Sequence, residues 1–280
     1  MKTRHAPYLA LAFVLGISRS IAADQPAQVT EVFNEVHHGA TESTATTSAK
    51  VGTPVYDGEY VKTGMLSRAE LQLPTASITR LGANTIFNYS VESNTVDLQE
   101  GTILFCKPKG PGVPRLNVKT AAVTAGIIGT TGFFHVYTNT TTHQTTTIFG
   151  LVEGHATATA GGAKFPVGPG DILEFTPGSK PFVFAFDVPR FVKSSPLLTK
   201  FGQLPNQSYI DAEIASYRDD VRRGFIQPPS HAIDYTGEGI PVLSTPAYDS
   251  AMNAQGQPKG NAGNPTGDKP SFPSNSGPGR

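Results

Sequence analysis

Between Gln28 and Val188, short runs rich in Val, Ile, Thr, Phe and Tyr are broken by Gly, Pro, Asn and Asp at intervals of roughly 8 to 12 residues. That rhythm predicts an all-β domain over residues 24–190. Apolar and polar residues alternate in Arg68–Leu73, Ser77–Leu81 and Leu116–Lys119, so each run places its apolar side chains on one face, as a half-buried strand does. Phe133–Tyr137 and Thr145–Phe149, joined by a Thr- and Asn-rich stretch, predict a hairpin, and Pro181–Val188 predicts a last aromatic strand.

Some of these units resemble one another. Leu98-Gln99-Glu100-Gly101-Thr102-Ile103 is echoed by Leu151-Val152-Glu153-Gly154-His155-Ala156, and the stretch from Val51-Gly52 to Val61 is echoed more loosely by Val167-Gly168 to Leu173. A repeated turn-and-strand unit predicts a β-solenoid-like or sandwich-like domain with internal symmetry. After Pro189 the pattern becomes helical. Ser195-Pro196 reads as a cap with Pro at the first helical position, opening a turn through Phe201. From Ser208, capping-box spacing to Asp211, an apolar stripe at Ile210, Ile214, Tyr217 and Val221, and Arg222-Arg223-Gly224 mark out a longer helix. Residues 191–234 are therefore a short helical extension packed on the β domain. In residues 235–280 Pro, Gly, Asn and Ser dominate, which predicts a disordered C-terminal tail.

The N-terminus changes the picture from fold to address. Lys2 and Arg4, an apolar run from Tyr8 to Ile17, and Ser20, Ala22 and Ala23 have the three-part order of a secretory signal peptide, residues 1–23, cleaved after Ala22 or Ala23. The run is shorter than the ~20 apolar residues that cross a bilayer, and no later segment is apolar enough, so the mature chain is expected to be periplasmic or secreted without a transmembrane segment. Losing Lys2, Arg4 and Arg19 leaves 19 basic against 22 acidic residues, a net charge near −3. That argues against nucleic acid as a partner. Cys106 follows Ile103-Leu104-Phe105 and reads as a core thiol.

Val61-Lys62-Thr63-Gly64, Ser67-Arg68-Ala69-Glu70-Leu71, Arg80-Leu81-Gly82-Ala83-Asn84-Thr85 and Leu98 with Glu100-Gly101 stand in an order and spacing that resemble the FecR domain family. So do Val118-Lys119-Thr120 and Thr124-Ala125-Gly126-Ile127-Ile128-Gly129-Thr130-Thr131. The resemblance spans about residues 51 to 160. It has two departures: Pro74-Thr75-Ala76-Ser77 stands where the family usually has Asp-Gly-Ser, and Ile128 stands where it usually has Arg. The family is named for a regulator with a cytoplasmic anti-sigma segment, one membrane helix and a periplasmic domain that receives a signal from an outer-membrane siderophore transporter. This chain resembles only the periplasmic part. The resemblance implies a non-catalytic, envelope-exposed domain of β-solenoid character.

Candidate chemistry is sparse. His37, His38, His135, His143 and His155 lack the spacing of a preformed metal site, so no metal is expected. Glu100 and Glu153 each precede Gly in the repeated unit, which points to turn chemistry ahead of the paired carboxylates of a glycosidase. Thr124–Gly132 lacks the Gly-Lys-Ser/Thr ending of a phosphate loop, and neither Gly-x-Ser-x-Gly nor His-Glu-x-x-His occurs. No catalytic residue and no cofactor are assigned. Lys107, Lys109, Arg115 and Lys119 follow one another without an intervening acid in a Pro- and Gly-rich loop, and these four are the candidate partner-binding residues. The expected function is a binding or scaffold module at the bacterial cell envelope that recognises a protein or polysaccharide. The alternative is an accessory signalling regulator acting in trans with a membrane partner, and an enzyme acting on polysaccharide stands behind both.

Overall fold

The strand-forming runs between Ala27 and Ala185 do pair, and they form a 17-stranded hydrogen-bonded network. The structure, a computed structural model, describes residues 25–226 and 233–243. The expected signal peptide at 1–23 and the tail from 244 onward lie outside the described residues. The network divides into two stacked layers that share one long strand, Thr95–Cys106, whose first half pairs in one layer and second half in the other.

One layer, here the covered layer, runs edge to edge through Pro54–Val55, Ala27–Phe33, Arg68–Gln72, Ile78–Leu81, the end of Thr95–Cys106, Thr131–Thr138, Thr145–Glu153, Asp171–Phe175 and Phe182–Ala185. The open layer runs through Thr47–Ser48, Val36–Gly39, Tyr60–Thr63, Ile86–Ser90, the start of Thr95–Cys106, Leu116–Lys119, Val123–Ile127, Ala156–Ala160 and Ala163–Val167. The chain passes repeatedly between layers, so the architecture is a sandwich wound in the manner of a solenoid. The two echoing Glu-Gly pairs both sit at such a crossing. Gly101 (φ +89°) and Gly154 (φ +81°) take the left-handed turn, and at each a threonine, Thr85 or Thr130, crowds the place a Cβ would take. The repeat therefore has a physical basis in one kind of corner used twice.

Between the layers lies the main core, with Leu71, Phe105, Phe134 and Phe149 from one side facing Phe87, Tyr89, Leu98 and Val118 from the other. Phe134 and Phe149, opposite each other in the expected hairpin, stack at 4.4 Å between ring centroids. Open-layer strands alternate as expected: Leu116 and Val118 are buried, while Lys119 is exposed and Asn117 half-buried. The covered layer departs from that expectation, because Ile78–Leu81 and Asp171–Phe175 are buried at every residue. Ile78–Leu81 is thus not a half-buried strand, since a third layer seals its outer face, while Arg68–Gln72 is buried at Ala69, Glu70 and Leu71 and open at Gln72.

That third layer is the C-terminal segment. Helices α1 (Val188–Ser194), α2 (Pro196–Thr199) and α3 (Gln207–Arg223) place Val188, Phe191, Leu197 and Ile210 on Leu104, Phe133, Ile148 and Ile172. Phe191 sits 4.8 Å from the Phe133 ring and 5.7 Å from that of Phe186. Asp187 caps α1 through its side chain at 2.9 Å from Arg190 N, and Gly224 ends α3 in the left-handed conformation. Helix α3 starts one residue before Ser208, with Asn206 at the cap, so the expected capping box is not used.

Residues 233–243 form a hairpin, Ile233–Tyr235 with Pro241–Leu243, and its turn buries Glu238 and Ile240. Packing therefore extends past the boundary that composition placed at 234. Ile240 and Val242 on the apolar side, the Arg68–Glu238 pair, and a bond from Ser195 Oγ to the Glu238 carbonyl at 2.8 Å hold this hairpin, too few residues to register in an average over a polar stretch. No helix among the described residues is long and apolar enough to cross a membrane.

Candidate functional site

The loop of residues 107–115 leaves the shared strand at Cys106, and it sends the four candidate basic residues into different settings. Lys107 is 1% exposed, and its ammonium donates to Thr75 O at 3.1 Å, pinning the turn between Arg68–Gln72 and Ile78–Leu81. Burial pushes the Lys107 ammonium down from its ordinary value. Lys109 Nζ lies 3.0 Å from Glu153 Oε2 and 3.9 Å from the centre of the Tyr209 ring on α3. Arg115 and Lys119 instead belong to the open layer, with Arg115 lying along Gly126 and Lys119 Nζ 3.8 Å from Asp97 Oδ2.

Lys107 and Lys109 thus help to seat α3, and their centre is Glu153. This residue is 1% exposed, accepts from Thr131 Oγ1 at 3.0 Å and from Asn206 Nδ2 at 2.7 Å, and pairs with Lys109. Asn206 Nδ2 also lies 2.9 Å from the Lys107 carbonyl, which it serves as a donor. The cap residue of α3 therefore turns its side chain into the β body and leaves the helix end uncapped by it. Burial raises the neighbouring Cys106 thiol and the Glu213 carboxyl above their usual values, and the Glu153 charge adds to both. Cys106 is a core thiol, as its strand position predicts.

Beside this network a cleft of about 340 Å³ opens between the loop and two turns, lined by Lys109, Gly110, Val113, Ile128, Gly129 and His155. Ile128, at the position where Arg is usual, is 59% exposed at its rim. The remaining histidines are scattered: His37 and His38 approach Glu35 and Glu59 at 3.7 and 3.8 Å, and His135 Nδ1 is 2.8 Å from Thr102 Oγ1. Burial pulls His135 down to about 4. Among the described residues no three His, Cys, Asp or Glu side chains converge as a metal site.

The region that contains both Glu-Gly corners, the loop and the central Gly-Thr motif, residues 59–165, matches the model of the FecR protein family. Over these residues the chain is similar to a FecR domain. The matched region coincides with the middle of the two-layer body and ends before the helical segment that covers it. Among solved structures, the fold is similar to two crystal structures, at 1.65 and 2.50 Å, each of a protein described as an anti-sigma factor from Parabacteroides distasonis. The first is 14% identical with a TM-score of 0.43 over 70% of this chain and 92% of that one; the second is 13% identical with a TM-score of 0.41 over 66% and 97%. No curated protein matches the sequence.

Two further buried clusters seat the segment after the matched region, and sequence reasoning missed both. Arg80, read as a solvent-facing strand residue, is 1% exposed and donates to Glu70 Oε2, Leu197 O and Gly202 O at 2.8, 2.8 and 2.6 Å, with Phe201 4.8 Å from its guanidinium carbon. Arg68 grips Glu238 through two bonds of 3.0 and 2.9 Å, and Ala83 N donates to the same carboxylate at 3.2 Å. A signal for the first did exist: Glu70 and Arg80 stand at equal distances from Thr75, as opposite residues of a hairpin must. Nothing near Glu238 points to Arg68.

Proposed function

We propose that this protein is an exported, non-catalytic binding or scaffold module of the bacterial cell envelope, periplasmic or secreted, which recognises a protein or polymer. The observation that carries the reading is that the FecR-like domain is sealed on one layer by its own C-terminal segment and left open on the other. Such a body is braced on one side and presents a broad, regular surface on the other, which is the form of a recognition module. Glu153, one of the two carboxylates weighed as a glycosidase pair, is engaged by Lys109, Asn206 and Thr131 and serves the fold. The test is affinity capture from envelope extract with the full chain, alongside a panel of envelope polymers. Recovery of one specific protein or polymer is expected; capture of nothing specific in both arms overturns the reading.

The FecR match also favours a second reading, an accessory regulator acting in trans with a membrane partner. It is separated from the first by deletion of the gene: a transcriptional response that a soluble domain added back restores belongs to the regulator, and its absence to the scaffold.

A further inference from the structure

Four adjacent strands of the open layer, Leu116–Lys119, Val123–Ile127, Ala156–Ala160 and Ala163–Val167, form a platform with a chemistry of its own. Register aligns Lys119, Thr124, Thr159 and Lys164 in one row across the strands, and Asn117, Gly126, Thr157 and Pro166 in the next. At the usual strand spacing the two lysines stand about 14 Å apart, with the second row about 7 Å along the strands. Thr124, Thr157 and Thr159 are exposed, and their hydroxyls have no partner among the described residues. Gly126 leaves a trough in the second row, and Arg115 lies along it, its Nε 2.9 Å from where a Cβ at Gly126 would stand.

None of the four strands contains Asp or Glu. Arg115 and Lys164 have no acidic partner among the described residues, and Lys119 meets only the half-exposed Asp97 at 3.8 Å. A chain of balanced overall charge therefore concentrates one sign on this platform. Between the cations the floor offers hydroxyls and a carboxamide, spaced regularly and nearly level.

From this juxtaposition we infer that the platform binds an extended acidic polysaccharide, its carboxylates set against Arg115, Lys119 and Lys164 and its hydroxyls against the threonine rows. This deepens the binding-module reading and rests on it. A folded protein partner fits less well, because the four strands expose none of the large aromatic anchors on which protein interfaces depend. A membrane surface fits less well because three cations without an apolar wedge fall short of the clusters of about 4 to 8 that hold a protein at anionic lipid.

The experiment is affinity electrophoresis of the full chain through gels containing polygalacturonate, with neutral dextran as control. Retardation by polygalacturonate alone is expected, diminishing as salt is raised. The combined Arg115→Ala, Lys119→Ala and Lys164→Ala variant should bind at least about tenfold more weakly, as loss of charged hydrogen bonds implies. Lys62→Ala, a cation of the same layer outside the platform, should bind as the wild type does. All three changes are on the surface, and an unchanged unfolding temperature shows that the variant is folded. No retardation, equal retardation of the triple variant, or tighter association with phosphatidylglycerol vesicles overturns the inference. If envelope extract still yields a specific protein partner in that event, the polysaccharide is wrong and the binding module stands.

Discussion

Arg80 Nε meets Glu70 Oε2 at 2.8 Å on the outer face of the covered layer, and the same guanidinium donates to the carbonyls of Leu197 and Gly202. Glu70 is completed by Thr30 Oγ1 at 2.8 Å. A single side chain thus joins three strands to α2 and to the connection that follows it. Its planar fork and fixed charge suit this use, and a lysine, with one nitrogen, cannot replace it.

Replacing Arg80 with Met leaves a buried carboxylate without its cation and two carbonyls without their donor, and the expected cost is about 3 to 5 kcal/mol. Urea unfolding measures this. Because Arg80 holds the C-terminal segment, amide exchange should also quicken across residues 188–223 more than in the core strand Thr145–Glu153. Uniform quickening would show that the segment is held mainly by its apolar face.

Asn206 tests the second anchor. Its amide donates to Glu153 and to the Lys107 carbonyl, so Asn206→Ala should cost about 1 to 3 kcal/mol, the usual penalty for buried groups left unpaired. Asn206→Asp should cost more, because it sets a second carboxylate beside Glu153 where a donor is required. Chemical denaturation of the two variants side by side checks the order; equal losses would mean that the Glu153 charge is not felt there.

The strands of the open layer were legible because water is on one side of them: alternation in Leu116–Lys119 records burial directly. In the covered layer the same alternation misleads. Glu70 and Arg80 are polar because they bond to each other and, through Arg80, to the C-terminal segment, and polarity there reports a buried network. Helix α3 was legible from its stripe and C-cap, and Gly224 ends it as expected. The basic loop was visible as a run of charge, but sequence spacing cannot say that Lys107 turns inward while Lys119 faces out, because the loop between them has no period. Thr157, Thr159 and Lys164 went unnoticed, and Thr124 was read only within its own Gly-Thr run, for the converse reason: the four are brought together only by register.

Two buried groups give the stability an unusual dependence on pH. Burial raises Glu174 to about 7 from 4.5, so the folded chain holds a proton that the unfolded chain has released, and stability falls as pH rises from about 4.5 to 7. His135 is held down to about 4 from 6.5, so its contribution falls as pH drops from about 6.5 to 4. Between about 4.5 and 6.5 the two slopes oppose and largely cancel. Glu174→Gln should therefore leave stability near pH 4.5 little changed, raise it at pH 8 by up to about 3 kcal/mol, and uncover the histidine slope. Urea midpoints across pH 4 to 8 for both proteins decide it; parallel curves would show that Glu174 does not govern the difference.

The turn that Lys107 pins offers the sharpest test of a departure from the family pattern. Leu73 N donates to Ser77 O at 2.8 Å and Ala76 N to Leu73 O at 3.0 Å, closing a three-residue loop over Pro74, Thr75 and Ala76. Hairpins of this length place their last loop residue in the left-handed region, and Ala76 is there, at φ +58°. The position is the one at which the resembling family carries Gly. An alanine held in that region costs about 1 kcal/mol or more relative to glycine, partly offset by glycine's greater freedom in the unfolded chain. Ala76→Gly should accordingly stabilise the protein by about 0.5 to 1 kcal/mol, while Ala76→Val, branched at the same φ, should destabilise it. The glycine gain should also survive in a Lys107→Met background, since the strain resides in the backbone of Ala76 and not in the bond from Lys107 to Thr75 O. Loss of the gain in that background would mean that the lysine, rather than the hairpin geometry, imposes the conformation.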